Sequence, residues 1–466
     1  MSPFLQALEV SVSGFSPSFE RRAVVSLASL YAFRMLGLFM VLPVLVLYGG
    51  DYEGATPALL GLALGAYGFS QALLQIPFGM LSDRLGRKPI IALGLLIFAA
   101  GSVVAATADS VYGLILGRCL QGGGAIASAI MALVADLTND ASRTKAMASI
   151  GASIGISFSV ALVLGPLLAG FGGLPLLFWA TAGLALAGLW ILLRLVPSPV
   201  GAAGGHREAG AVPQLFVSTL LNRELLRLNV GIFTLHFVLM ACFLVLPGIL
   251  ESSIGIARTD HWMVYLPLLL LAFIAMVPFI IIAEKRQKMK PVFLGAIALL
   301  GLSLAGMSHW QQPVLFLLLL FTFFIGFNLL EATLPSLMSK MAPAGGKGTA
   351  SGIYATWQFL GAFAGGACGG WLQQHYGGST VWLVGAGLIA CWWLLASFMP
   401  PPRHLASVQV PLTAAAMPFA SARLAALPGV VEVVLIREEC AAYLKVDPRH
   451  FHPESAASID WAAEAV

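Results

Sequence analysis

Twelve apolar runs, each long enough for one bilayer crossing at about 20 residues, restrict the fold of this chain more than any other feature. They occupy residues 24–48, 57–81, 89–108, 111–136, 146–170 and 174–196, then 228–250, 261–283, 291–309, 312–339, 349–372 and 379–399. A backbone inside hydrocarbon must satisfy its own N–H and C=O groups, which runs of this length do as α-helices. Hydrophobic residues make up 59% of the 466 and charged residues 10%, against about 25% charged in soluble chains. The expected fold is an all-α polytopic membrane protein with twelve transmembrane helices in two six-helix halves. The first 22 residues hold no apolar core beside a small-residue cleavage site, so the first span is expected to act as its own insertion signal.

The halves, 1–196 and 228–400, show traces of duplication. Phe39-Met40-Val41-Leu42-Pro43 returns as Phe243-Leu244-Val245-Leu246-Pro247, and Pro77-Phe78 with Asp83-Arg84 returns as Pro278-Phe279 with Glu284-Lys285. Each recurrence comes roughly 200 residues later, as parallel repeats would give. Residues 197–227 form the linker between the halves. Pro197 to Gln214 is rich in Gly and Ala, and Leu215–Arg227 reads as an amphipathic surface helix or as the lead-in to the seventh span. Lys and Arg crowd one set of loops, with Arg84, Arg87, Lys88, Lys145, Lys285, Arg286, Lys288, Lys290, Lys340 and Lys347 there, while the other set holds only Arg258. That asymmetry predicts both termini and the linker in the cytoplasm, and it accounts for the net charge of +4 without nucleic acid.

After Pro400-Pro401-Pro402 ordinary charge density returns, and residues 403–466 read as a small cytoplasmic domain. Strands are expected at Val408–Leu412, Val430–Ile436 and Ala441–Asp447, with helices at Pro418–Leu427 and Pro453–Ala465. This β-α-β-β-α order resembles a ferredoxin-like fold of the kind found in small metal-carrying domains, but its first loop, Leu412 to Met417, lacks their paired cysteines. Of the five cysteines, Cys119, Cys242, Cys368 and Cys391 lie in apolar runs, and no C-x-x-C occurs, so no disulfide framework and no metal site is indicated. Phosphate loops and nucleophile elbows are missing too, which predicts no enzyme activity, no cofactor and transport without ATP.

Gly79-Met80-Leu81-Ser82-Asp83-Arg84-Leu85-Gly86-Arg87-Lys88-Pro89 is a polar knot that hydrocarbon would exclude. On charge alone it is an ordinary loop between spans. Its order, G-x-L-x-D-R-x-G-R-K, matches position for position the loop signature of the major facilitator superfamily, after the second span where that family carries it. Phe33-Arg34-Met35-Leu36-Gly37, Gln75-Ile76-Pro77-Phe78-Gly79 and Asn328-Leu329-Leu330-Glu331-Ala332, together with the C-terminal domain, resemble the YajR-like branch of bacterial drug-proton antiporters. The resemblance covers nearly the whole chain. It implies a monomeric transporter of the bacterial inner membrane that exchanges hydrophobic or cationic small molecules for protons by alternating access.

It also implies roles for residues. Gly79, Asp83, Arg84, Gly86, Arg87 and Lys88 would form a conformational switch, with Asp83 latching onto the start of the eleventh span in the outward-facing state. Arg84 and Arg87 would work with Asp136 at the end of the fourth. A carboxylate at a helix N-terminus is favoured by roughly 0.3–1 kcal/mol, and a solvated loop cluster by little. Arg118-Cys119-Leu120-Gln121-Gly122-Gly123-Gly124 resembles the family motif associated with proton coupling, although its glycines also suit close helix packing. Gly165, Pro166 and Gly170 resemble the antiporter signature, with Ala161 and Ala169 where glycines are expected.

Glu331 is the one acidic residue well inside a span, about 12 Å from the basic end of the tenth helix. Charged and unpaired, it would cost several kcal/mol there. The mid-span bases are Arg34, about 15 Å from the basic end of the first helix, and Arg118. Glu331 is therefore expected to exchange a proton, tuned by Arg34 and Arg118, or else to form a static ion pair between the halves. His236 reads as a hydrogen-bonded core histidine or a polar handle. Met35, Gln71, Gln121, His236, Asn328, Tyr354, Trp357 and Gln358 are candidates for lining a substrate cavity, and packing explains them equally well. Three functions stay open: a proton-driven exporter, a symporter or facilitator of another solute, and a non-transporting sensor that uses the C-terminal domain and whose protein partner or ligand is unknown.

Overall fold

The structure, a computed structural model, describes residues 16–197, 213–310, 312–401, 405–413, 416–436, 440–447, 449–457 and 459. The first half contains α1 (Pro17–Phe39), α2 (Leu45–Tyr48), α3 (Pro57–Leu85), α4 (Arg87–Ala106), α5 (Val111–Gly123), α6 (Ala127–Asp136) and α7 (Asp140–Arg194). The second contains α8 (Pro213–Leu220), α9 (Arg223–Ser252), α10 (Trp262–Lys285), α11 (Met289–His309), α12 (Pro313–Met341), α13 (Lys347–Tyr376) and α14 (Gly378–Ser397). Among the described residues ten helical segments are long and apolar enough to cross a membrane, with α5 and α6 together making one of them.

One of the ten crosses twice. The 55-residue α7 breaks at Gly172 and Gly173, and Gly173 sits at φ +66°, where a side chain would be strained. Before the break, Ser157 donates to the Ala32 carbonyl at 3.0 Å and Gly165 packs on Met40. After it, Thr181 approaches Gly37 and Gly188 approaches Leu30. Moving along α7 thus ascends α1 and then descends it, so the helix folds back. The glycine-rich α13 is less apolar than the rest, but its 30 residues are packed between α3 and α9, which makes the twelfth passage.

Helix starts follow local chemistry. Ser16 and Thr56 accept from the N–H groups of Phe19 and Leu59, each just before a proline that fits the first helical turn. Asn222 does the same for α9, accepting from Glu224 at 3.0 Å and Leu225 at 3.2 Å. That cap corrects the expectation of one helix over Leu215–Arg227: α8 stops at Leu220, and Arg223 already belongs to the seventh span. Most of the Gly- and Ala-rich linker, 198–212, lies outside the described residues. The two copies of the Phe-to-Pro repeat also differ, because α1 ends at Phe39 whereas α9 continues through Pro247.

The C-terminal segment folds as β1 (Ala406–Pro411), α15 (Met417–Ala425), β2 (Val430–Ile436), β3 (Ala441–Val446) and α16 (Pro453–Ala457). Its antiparallel sheet has the order β1-β3-β2, with Val408 opposite Leu444 and Val434 opposite Tyr443. Alternation sends Ala442, Leu444 and Val446 into a core with Ala420, Leu424 and Phe451. The helix expected to reach Ala465 is described only through Ala457.

Candidate functional site

Three places carry the chemistry expected of the sequence, and they do not coincide. At the basic end, Gly86 turns the chain between α3 and α4 at φ +95°, a conformation a side chain would disfavour. The turn aims Arg87 back at the helix ends. Arg87 pairs with Asp83, donates to Ser82 Oγ at 2.9 Å and reaches Asp136 at 3.2 Å. Asp136 and Arg87 meet as expected, whereas Arg84 stands exposed and Lys88 donates to the Val196 carbonyl at 2.6 Å. Gly79 lies against Ser128 of α6. Asp83 remains exposed within its own half. The second half repeats the design: Glu284, at the end of α10, pairs with Lys340, at the end of α12, at 2.8 Å.

Inside the first half, Arg34 and Arg118 are each 1% exposed, and their hydrogen bonds go to neutral oxygens. Arg34 donates to Gln71 at 2.8 Å and to the Gly124 carbonyl at 2.7 Å, and Gln71 passes the chain to Gln75 at 3.0 Å. Arg118 donates to Gln121 at 2.7 Å, and Gln121 donates to Ser102 at 2.8 Å. The Tyr67 ring lies 5.9 Å from one guanidinium and 5.3 Å from the other, so both cations share one aromatic ring. Met35 is buried in the hydrophobic core beside them. Arg34, Arg118, Gln71 and Gln121 thus form one network, and Glu331 is not among their hydrogen-bond partners.

Glu331 belongs to a second cluster, built by α9, α12 and α13. His236 Nε2 lies 3.9 Å from Glu331 Oε2 and 2.8 Å from Gln358 Nε2, while its Nδ1 faces the Ile232 carbonyl at 3.3 Å. Glu331 Oε2, Asn328 Nδ2 and the Tyr354 hydroxyl are buried atoms with no hydrogen-bond partner. Trp357, the residue just before Gln358, packs edge-on to Phe233. Of the cavity residues expected from sequence, the structure gathers His236, Asn328, Tyr354, Trp357 and Gln358 in this half and separates Met35, Gln71 and Gln121 from them. A cavity of about 710 Å³ lies elsewhere: an apolar groove between the first limb of α7 and α10, lined by Gly155, Ile156, Leu270 and Phe273 among others.

The halves are sealed at the end away from the basic loops. Gly61 and Gly65 of α3 abut Gly366 of α13 so closely that a Cβ on Gly366 would lie 2.6 Å from the Gly61 carbonyl oxygen. Beyond this seam, Ala58 N–H donates to Gln374 at 3.1 Å, and Arg258 donates to the Leu47 carbonyl at 3.2 Å while pairing with Glu251 at 2.9 Å. Gly170 meets Thr259 across the same gap, and Gly165 and Pro166 sit one turn deeper, against Met40 and within the helix. Sequence reasoning missed this seal. The four-residue spacing of small residues on α3 and α13, and the lone Arg258 on its side, were the available signals.

The Major Facilitator Superfamily model matches residues 27–366. "Inner membrane transport protein YajR" of Escherichia coli (strain K12) is 48% identical over 438 residues, covering 92% of this chain and 95% of that protein. "Multidrug resistance protein MdtH" of Aeromonas salmonicida (strain A449) is 27% identical, covering 73% of this chain and 85% of that one. A bacterial homologue of the human lysosomal transporter Spinster, solved in an inward-facing and occupied conformation, shares the fold with a TM-score of 0.69 at 14% identity, covering 82% of this chain and 98% of its own. The twelve-passage fold, the intact loop signature and these matches agree: the chain belongs to the Major Facilitator Superfamily, in its YajR-like branch.

Proposed function

We propose that the chain exports hydrophobic or cationic small molecules in exchange for protons, from a bacterial inner membrane with its basic end and both termini in the cytoplasm. The observation that carries this reading is the His236, Glu331 and Gln358 cluster. When Nδ1 of a neutral His236 donates to the Ile232 carbonyl, Nε2 accepts from the Gln358 amide. Adding a proton at Nε2 turns it into a donor facing Glu331, and Gln358 must then present its oxygen. The cluster therefore has two hydrogen-bond patterns that differ by one proton. A cationic substrate near Glu331 would favour the pattern with the proton gone, which is the competition an antiporter needs. Arg34 and Arg118 act at a distance in this reading, as buried positive charge in the first half. Asp83 exchanges its Arg87 partner for the start of α13 when the basic end closes, as the resemblance implies. The order β1-β3-β2, with β3 inserted between the strands of a β-α-β unit, supports a ferredoxin-like tail.

Binding should release protons. Calorimetric titration of the detergent-solubilised protein with ethidium, in buffers of different ionisation enthalpy, is expected to show up to about one proton leaving per cation bound. Heats that do not depend on the buffer would contradict the competition.

A further inference from the structure

The C-terminal sheet has two faces, and both are covered. One packs on α15. The other presents Ala441, Tyr443 and Lys445, which are 1%, 2% and 7% exposed although neither α15 nor α16 lies over them. What covers them is the transporter itself. Ala441, Tyr443 and Ile436 close a small apolar cluster with Ala344, and Leu215 of α8 and Val434 pack against its edge.

The contact falls on the turn that joins α12 to α13. Gly345 holds this turn at φ +67°, and a Cβ there would lie 3.0 Å from the Ile436 side chain and 3.1 Å from the Tyr443 ring. Lys445 Nζ donates to the Lys340 carbonyl at 2.9 Å, placing a cation on the C-terminal end of α12, where the helix dipole favours it. Burial, aided by nearby Lys347, pushes the Lys445 ammonium below the usual lysine range, and its cross-strand neighbour Glu432 opposes the shift. The side chain of the same Lys340 holds Glu284 of α10. The sheet thus grips one end of α13, and the far stretch of α13 makes the glycine seam with α3.

We propose that the face of the C-terminal sheet turned away from α15 is an intramolecular brake, docked on the α12–α13 turn, that favours the state sealed at the glycine seam. α13 cannot tilt to open that seam without moving the turn against Ile436, Tyr443 and Lys445. Either the dock yields or the tilt is resisted. The brake rests on alternating access of the two halves and not on the proton or substrate assignment, so its test needs neither.

The test uses the full chain in lipid nanodiscs, with its native cysteines replaced and spin labels at Lys145 and Lys288. These positions are exposed at the basic end, one in each half. Ile436→Glu puts a carboxylate into the docking cluster and is expected to raise the population with a short label distance, meaning a closed basic end, by roughly fivefold or more. A second variant leaves the sheet's own core intact: Gly345→Cys with Ile436→Cys, oxidised to a disulfide, is expected to hold the long distance alone, whereas the same double variant left unoxidised keeps the wild-type distribution. Distances unchanged by both variants would overturn the brake, as would a folded protein in which the disulfide fails to form.

Discussion

Glu331→Gln is expected to reduce proton-driven accumulation of a lipophilic cation to the level of protein-free liposomes while exchange of labelled for unlabelled cation continues. Glutamine keeps the bulk and removes the carboxylate beside His236 Nε2, so a proton at that site no longer finds a negative charge to balance it. The measurement is uptake into proteoliposomes under an imposed pH difference, beside counterflow without one, on protein shown to be folded by its elution profile. Retained pH-driven accumulation would remove Glu331 from the coupling role. Tyr354 and Asn328 each carry a buried polar atom without a hydrogen-bond partner, and both can reorganise around the substitution.

The same carboxylate marks the limit of what the sequence reveals. Its depth in the tenth span follows from counting 1.5 Å per residue, and that count is sound for helices of this length. Depth says nothing about which way a helix faces. Arg34 lies at a similar depth, yet its Nη2 donates to Gln71 and Gly124 within the first half, and Arg118 likewise turns to Gln121. His236, which the sequence reads first as a hydrogen-bonded core histidine, lies beside Glu331. The spans themselves were legible because hydrocarbon imposes a length and a composition on each of them. The β-α-β-β-α order was legible for a similar reason: alternation and turn residues act locally. The docked sheet face was not. Ala441 and Tyr443 alternate as a half-exposed strand would, and only the tertiary arrangement supplies the second cover.

The glycine seam carries the second large effect. Gly366→Leu is expected to prevent the sealed state, because even the first carbon of the side chain would lie 2.6 Å from the Gly61 oxygen and 2.7 Å from the Gly65 nitrogen. Separating two backbones to make room costs roughly 1–3 kcal/mol as overpacking. A cost of that size lowers the sealed population about 5- to 150-fold, and transport should fall with it. Spin-label distances across the seam end of α3 and α13 check the shift. Gly352→Ala, on the same helix with nothing within 4 Å, should leave both distances and transport unchanged. A Gly366→Leu protein that still seals would mean that the seam follows closure and does not govern it.

Exchange of protons for substrate fixes the direction in which a cation must flow under an imposed pH difference. Wild-type protein is reconstituted in liposomes with the membrane potential clamped at zero, and the movement of ethidium is followed under a pH difference of either sign. Ethidium is expected to move toward the acidic compartment, to reverse when the gradient is reversed and to stop when a proton ionophore collapses it. Movement indifferent to the gradient, or toward the alkaline side together with protons, would contradict the exchange.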